Sequence, residues 1–510
     1  MYMRYFIIII SFFLHPYLWS QKNDYNWTWS GYAVNDTVLR GNFLNFNNGF
    51  RILTDTPVNI KIGQANASIS DVEGNLLFYF NGCRIAGRDH QLIENGDSIN
   101  YGNALKLIAG EGCLYGYTGH QNSMILEDPY ANNKYYLLHH TWERMVVGGF
   151  NSIELTKFNY TYVDMNENNG KGRVTAKNVL ILQDTLNSGY LQAVKHTNGR
   201  DWWIVVIDAN NEDDKAPDNK YYFFLLDERG INLHHTQLIG PIFDKYTSAS
   251  GTAKFSPDGN KYVLHNFRNG LWFFNFDRSS GLFSNLDYYP IFRKNYFNGV
   301  EWSANGRYLY TSATDSLFQY DTWAVDIGGT ETLVDVWDGT LDPFETHFGI
   351  MQRGPDCRIY ISSISSTRSI HVINNPDEPF PFCNFVQNDL KLVASTGTIS
   401  MPSFPNYRLD SAPVCDPGIV VSSKEIEDLP KIDIKVYPNP ATDLFYVESS
   451  YQYQDVMVEI LDMSGKICWR GQHQKTMRFS VTDFLDGVYM VVMKKDGLVI
   501  GAEKLVIGSR

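Results

Sequence analysis

Hydrophobic and polar positions alternate in short bursts along most of this chain, and the bursts recur around one kind of turn. Each unit is a short strand, a turn rich in Asp, Asn and Gly, and then an aromatic or aliphatic strand. Six copies stand out: residues 67–74 (ASISDVEG) before 76–79 (LLFY), 127–133 (EDPYANN) before 135–138 (YYLL), 194–200 (VKHTNGR) before 202–205 (WWIV), 253–259 (AKFSPDG) before 262–264 (YVL), 300–306 (VEWSANG) before 308–310 (YLY), and 350–356 (IMQRGPD) before 359–361 (IYI). Pro presets the first torsion of such a turn, and Asp, Asn and Gly accept the left-handed conformation that follows, so each copy predicts a tight hairpin. A further strand follows most copies, as at 270–277 (GLWFFNFD) and 316–321 (SLFQYD). No comparable amphipathic helix separates them, which excludes the strand–helix alternation of a parallel α/β sheet.

The turns lie about 47 to 67 residues apart, a spacing that suits the four-stranded blade of a propeller with variable outer loops. The expected fold is therefore all-β, a β-propeller over residues 22–409. Strand-like segments at 37–46 (TVLRGNFLNF) and 400–409 (SMPSFPNYRL) flank the six copies. Their pairing would complete a seventh blade and close the ring without exposed edges; six blades is the alternative. Pro402 and Pro405 would then need edge or bulge positions, because neither can donate to a ladder. The body resembles a family of secreted proteins whose units read approximately ASISD-x-x-GNLLFY, AVKH-x-NG-x-DYW, KFSPDG, VEFSPDG-x-x-LY and GPDGKIY. The matching stretches here are 67–79, 193–203, 254–259, 300–310 and 354–360, with departures at Ala304, Asn305 and Cys357. The resemblance implies architecture and no particular activity.

The two ends read as addresses. Arg4 followed by the apolar run 6–14 (FIIIISFFL) and a small residue at Ser20 has the form of a signal peptide, with residues 1–20 removed on export. That run is too short to span a bilayer, and no later run reaches the roughly 18 apolar residues a membrane helix needs, so no transmembrane segment is expected in the mature chain. Residues 410–430 (DSAPVCDPGIVVSSKEIEDLP) read as a linker. Residues 431–510 then show short alternating strands joined by Gly turns, the pattern of a small C-terminal β-sandwich. This last stretch resembles the type A C-terminal sorting domain of the type IX secretion system. Pro438, Asn439, Pro440, Gly465, Gly487, Tyr489 and Lys504 carry the match. The resemblance implies the type IX machinery as a partner, passage across the outer membrane, removal of the domain, and a final location outside the cell or on its surface.

Composition supports the strand reading, since 15% of residues are aromatic and such side chains fit a pleated, half-buried surface. A formal charge of −13 with no basic stripe excludes a nucleic-acid partner. Six cysteines behind an export signal permit disulfides. Cys83 with Cys113 and Cys357 with Cys383 fall inside single units and are the best pairs; buried free thiols are the alternative.

Catalytic signatures are missing. No G-x-S-x-G elbow, Walker loop or dinucleotide fingerprint occurs, so no catalytic residue and no cofactor is assigned. His139 and His140 are adjacent and would leave a strand on opposite faces, which predicts structural histidines rather than a zinc site; His234 and His235 fail in the same way. The acidic loop 208–214 lacks the glycine and the distal Glu of an EF-hand, and no metal site is assigned. Trp142, Trp202, Trp203, Trp272 and Tyr320 are expected to fill space between blades. Two functions stay open. The first is a non-enzymatic binding or adhesion protein engaging an extracellular glycan or protein; the second is a secreted hydrolase of polysaccharide or peptide.

Overall fold

Seven antiparallel sheets follow one another along the chain, each a simple meander of neighbouring strands. The structure is a computed structural model. It describes residues 21–32, 38–47, 52–147, 149–209, 219–242, 251–266, 270–291, 298–409, 415, 434–449, 456–462, 467–495 and 498–508. The expected signal peptide and, apart from residue 415, the expected linker lie outside the described residues.

The first strands of the seven blades are Asn26–Tyr32, Ala67–Ser70, Ser123–Glu127, Gln192–Lys195, Gly251–Phe255, Val300–Trp302 and Phe348–Arg353. These strands lie nearest the axis, where successive blades touch. Blades one and two have three strands and the others four. Burial explains the sequence pattern. Second strands such as Trp202–Ile207 and Tyr308–Ala313 are buried at every position because a neighbouring blade covers each face, and so they read as apolar runs. Outer strands such as Gly230–Leu238 and Leu282–Tyr289 are largely exposed.

The six hairpin turns all join a first strand to a second strand. Each has a residue in the left-handed region at the matching place: Gly74, Asn133, Gly199, Gly259, Gly306 and Cys357, with φ between 58° and 83°. At Gly74 a Cβ would come within 2.3 Å of the Asn47 side chain, and at Gly259 within 2.9 Å of the Val194, Arg278 and Leu409 side chains.

The ring has seven blades, but it closes differently from the expected pairing of 37–46 with 400–409. Leu39–Asn45 is the middle strand of blade one, hydrogen-bonded on both sides by Asn26–Tyr32 and Ile52–Pro57. It has no free edge to offer. Residues 400–409 form no strand, in keeping with the missing donors of Pro402 and Pro405. They run along the inner strands toward the turn end of the propeller instead. Trp29 Nε1 donates to Ser400 O, Ser403 N to Asn66 O, and Asn406 Nδ2 to Pro257 O, at 3.0, 3.2 and 2.9 Å. Tyr407 donates to the carbonyl of Ile125. Blade one meets blade seven directly: Trp27 packs edge-on to Tyr360 at 5.1 Å, and the Asn42 amide bonds the backbone of Val393 and Ala394.

Beyond the propeller, residues 434–508 build two further sheets. One has three strands and the other four. They enclose a core of Phe445, Val458, Ile460, Val491 and Leu505, the sandwich the strand pattern predicts. Among the described residues no helix is long and apolar enough to cross a membrane.

Candidate functional site

The turn end of the propeller gathers the polar chemistry of the inner strands. Lys254, Glu301 and Gln352 come from three successive blades: the Lys254 Nζ lies 3.1 Å from Glu301 Oε2 and donates to Gln352 Oε1 at 2.6 Å. Both charges of that ion pair are almost fully buried. On the opposite side of the axis, Asn23 Nδ2 donates to Glu127 Oε1 at 2.7 Å, and Lys195 Nζ donates to Gln21 Oε1 at 2.8 Å. The segment entering the propeller is thereby fastened to blades three and four.

Over blades two to four opens a cleft of about 990 Å³, lined by Glu73, Arg88, Glu127, Lys134, Lys195 and Arg200 among others. Burial raises the pKa of Glu127 above the usual carboxylate range, opposed by the Asn23 hydrogen bond and the Lys195 charge. Asp71 and Asp128 of the cleft, and Asp201 beside it, are held by hydrogen bonds within the protein. Asp128 accepts from the Tyr162 hydroxyl and from Tyr130 N. Asp71 accepts from the backbone of Glu73 and Asn75. Asp201 accepts from the Tyr130 hydroxyl at 3.0 Å, and the Arg200 guanidinium sits 4.3 Å from the Tyr130 ring centre. The result is a rigid wall of mixed charge. Sequence reading missed it because Glu127 and Lys195 stand beside turn residues and resemble ordinary turn chemistry.

Among the predicted residues, the structure joins Cys83 to Cys113 with Cα atoms 6.3 Å apart, which fastens the insertion bearing the short helix Leu105–Ala109 to blade two. The expected Cys357–Cys383 pair is not formed: Cys357 bonds Cys415, and Cys383 is a buried thiol. Cys357 is at the tip between the first and second strands, whereas Cys383 lies between the third and fourth. Two strand spacings of about 4.8 Å separate these tips, more than a disulfide spans. Burial pushes the Cys383 thiol up to about 12, so it stays protonated.

Trp202, Trp203 and Tyr320 are buried in the interblade core, and Trp142 and Trp272 pack partly buried at its margin. Of the acidic loop, 210–214 lies outside the described residues. The described residues hold no group of three His, Cys, Asp or Glu side chains arranged for a metal.

In the C-terminal sheets Asn439 and Lys504 come together: Asn439 Nδ2 donates to Lys504 O and Asn439 Oδ1 accepts from Val506 N at 2.8 Å. Tyr489 donates to Leu485 O at 2.7 Å. Pro438 and Pro440 flank Asn439, and Gly465 lies outside the described residues. At Gly487 a Cβ would meet only Tyr489 at 3.8 Å, so nothing in the structure demands glycine there.

His139 and His140 are both buried on opposite faces of their strand. His139 Nδ1 donates to Asn100 Oδ1 at 2.7 Å, and Thr161 Oγ1 donates to Nε2 at 2.9 Å, which fixes the neutral tautomer. Burial holds His139 and His371 down at about 3 and His140 at about 4. Unfolded histidines titrate near 6.5, so this stability is complete above that pH and is lost as pH falls toward the folded values. At pH 5 each group costs about 2 kcal/mol, and the three together about 6 kcal/mol. Glu127 and Asp335 work in the opposite sense, since burial raises their pKa and lets the folded form take up a proton more readily, but His90, His120, His235 and His473 are also lowered by burial and add to the three. Thermal melts at pH 7.5 and pH 5 should therefore show a large drop at the lower pH; equal melting temperatures would contradict the burial argument.

The sequence profile of the secretion system C-terminal sorting domain matches residues 435–508. This domain directs export by the type IX secretion system, so the chain is exported to the cell surface or the extracellular space. No curated protein sequence matches the chain. Among solved structures, a Lactobacillus plantarum protein is similar at 11% identity and a TM-score of 0.39, covering 73% of this chain and 97% of its own. The β-propeller domain of a Myceliophteria thermophila protein is similar at 10% identity and 0.36, covering 66% and 93%. A Pseudomonas aeruginosa periplasmic gluconolactonase is similar at 10% identity and 0.34, covering 95% and 99%.

Proposed function

We propose that this exported β-propeller is a non-enzymatic binding protein that engages an extracellular glycan or protein through the cleft over blades two to four. In this reading residues 1–20 are a signal peptide, 22–409 the binding body, 410–430 a linker, and 431–510 the sorting domain lost on export. One observation carries it: Glu127, Asp71 and Asp128 of the cleft are each held by the protein's own donors, which suits a fixed recognition surface more than proton transfer. Arg200 and Tyr130 offer an exposed cation stacked on a ring, a pair suited to contact with a polar ligand.

Glycan and peptide arrays probed with the secreted protein test this. Binding should fall by about 10-fold when Arg200→Ala and Tyr130→Ala are combined. Glu127 is the carboxylate of the cleft whose pKa burial raises. Release of shortened saccharide or peptide products, abolished by Glu127→Gln, would replace the binding reading with a hydrolase.

A further inference from the structure

A second cleft, of about 510 Å³, opens on the same end between blades five and six, and it shares no lining residue with the first. Trp323 stands at its edge with 64% of its surface exposed. Its backbone N–H donates to Asp321 Oδ1 at 3.0 Å, and its ring lies 5.4 Å from the guanidinium of Arg307, itself held on Asp321 by two hydrogen bonds of 2.8 and 3.1 Å. An open indole beside a guanidinium that is itself held offers a flat apolar face to a ligand.

The lining of this cleft also includes Trp302, which is 1% exposed and whose Nε1 has no acceptor in the protein. A buried donor left unpaired is costly. Around the rim, Asp258 accepts from Ser256 Oγ and from Asn260, and Asn305 Oδ1 accepts from Ser303 Oγ and Arg307 N. The Asn305 side chain is thus locked with its Nδ2 left for a ligand. The two arginines of the lining are already spent: Arg278 donates to the carbonyl of Lys195 and Arg408 is paired with Asp24. Asp258 and Lys261 balance one another in charge.

We propose that this cleft is a saccharide subsite that takes a neutral pyranose, with one face of the sugar on Trp323 and its hydroxyls on Asp258 and Asn305. An aromatic plate beside mixed donors and acceptors matches a sugar, which has an apolar C–H face and a hydroxyl edge. A strongly anionic ligand would find the arginines engaged and a carboxylate at the rim.

The full secreted protein should be titrated with the methyl pyranosides of glucose, galactose and mannose and with their short oligomers, followed by tryptophan fluorescence and by saturation-transfer NMR. At least one of these neutral sugars should bind at millimolar concentration or below. Trp323→Ala should weaken it by about 10-fold with the melting temperature unchanged, and Trp323→Phe should keep most of the affinity. Val325→Ala, at an exposed position near Trp323 that does not line the cleft, should leave this binding intact, which ties the effect to the Trp323 ring. Sugar binding that ignores Trp323→Ala, no response to any sugar of the panel, or a Trp323-dependent response to peptides alone would each overturn the proposal.

Discussion

Arg408→Ala is expected to destabilise the propeller by about 3–5 kcal/mol, because it leaves the carboxylate of Asp24 buried without its partner. The two residues stand 384 positions apart and form a bidentate pair, with N–O distances of 2.5 and 2.8 Å and side chains only 5% exposed. Asp24 leads into the first strand of blade one and Arg408 ends the segment that leaves blade seven, so this one ion pair ties the beginning of the ring to its end. Asp24→Asn with Arg408→Met should cost much less than either single change, since both charges are then gone. Deleting residues 22–50 removes the pair together with two strands of blade one, and should give aggregation through newly exposed edges. Melting curves of the single, double and deletion variants measure this; an unchanged melt for Arg408→Ala or for the deletion would show that the ring does not depend on joining its ends.

The parts of this architecture that were legible are those in which one residue type has one conformational use. The six turns could be found because Asp, Asn and Gly accept left-handed torsions, and all six have a left-handed residue where the pattern ends. Cys357 holds that torsion without being glycine, and its departure from the repeat marked a residue whose side chain is engaged elsewhere. Closure was misjudged because 37–46 and 400–409 looked like two orphan strands, while the true first strand, Asn26–Tyr32 (NWTWSGY), precedes no recognisable turn. Disulfide pairing was misjudged because closeness in sequence does not show how many strand spacings separate two tips of a blade. The clefts were illegible for a related reason. Trp302 and Trp323 look alike on the page, yet one is in the interblade core and the other stands in solvent, and only the packing of blade on blade decides which.

Removing residues 431–510 is expected to leave folded propeller in the periplasm. The tail has its own core, centred on Phe445, Val458, Ile460, Val491 and Leu505, so it should fold when moved to another protein. Two residues of the sorting pattern, Asn439 and Lys504, meet on the sandwich, where the Asn439 side chain bridges to the last strand at Lys504 and Val506. Grafting 431–510 onto a neutral reporter that carries a signal peptide should therefore move the reporter outside a cell that possesses the type IX machinery. Asn439→Ala removes two hydrogen bonds, each worth about 1 kcal/mol, and should loosen the end of the tail and reduce export without abolishing it. The Cys357–Cys415 bond places a boundary on processing, because it fixes residue 415 to blade seven; cutting anywhere beyond Cys415 frees the tail and leaves the body covalently intact. Fractionated cells expressing the truncated chain, the graft and the Asn439→Ala protein report each location directly. Export of the truncated chain at the normal level, or a grafted reporter that stays inside, would show that 431–510 does not carry the address.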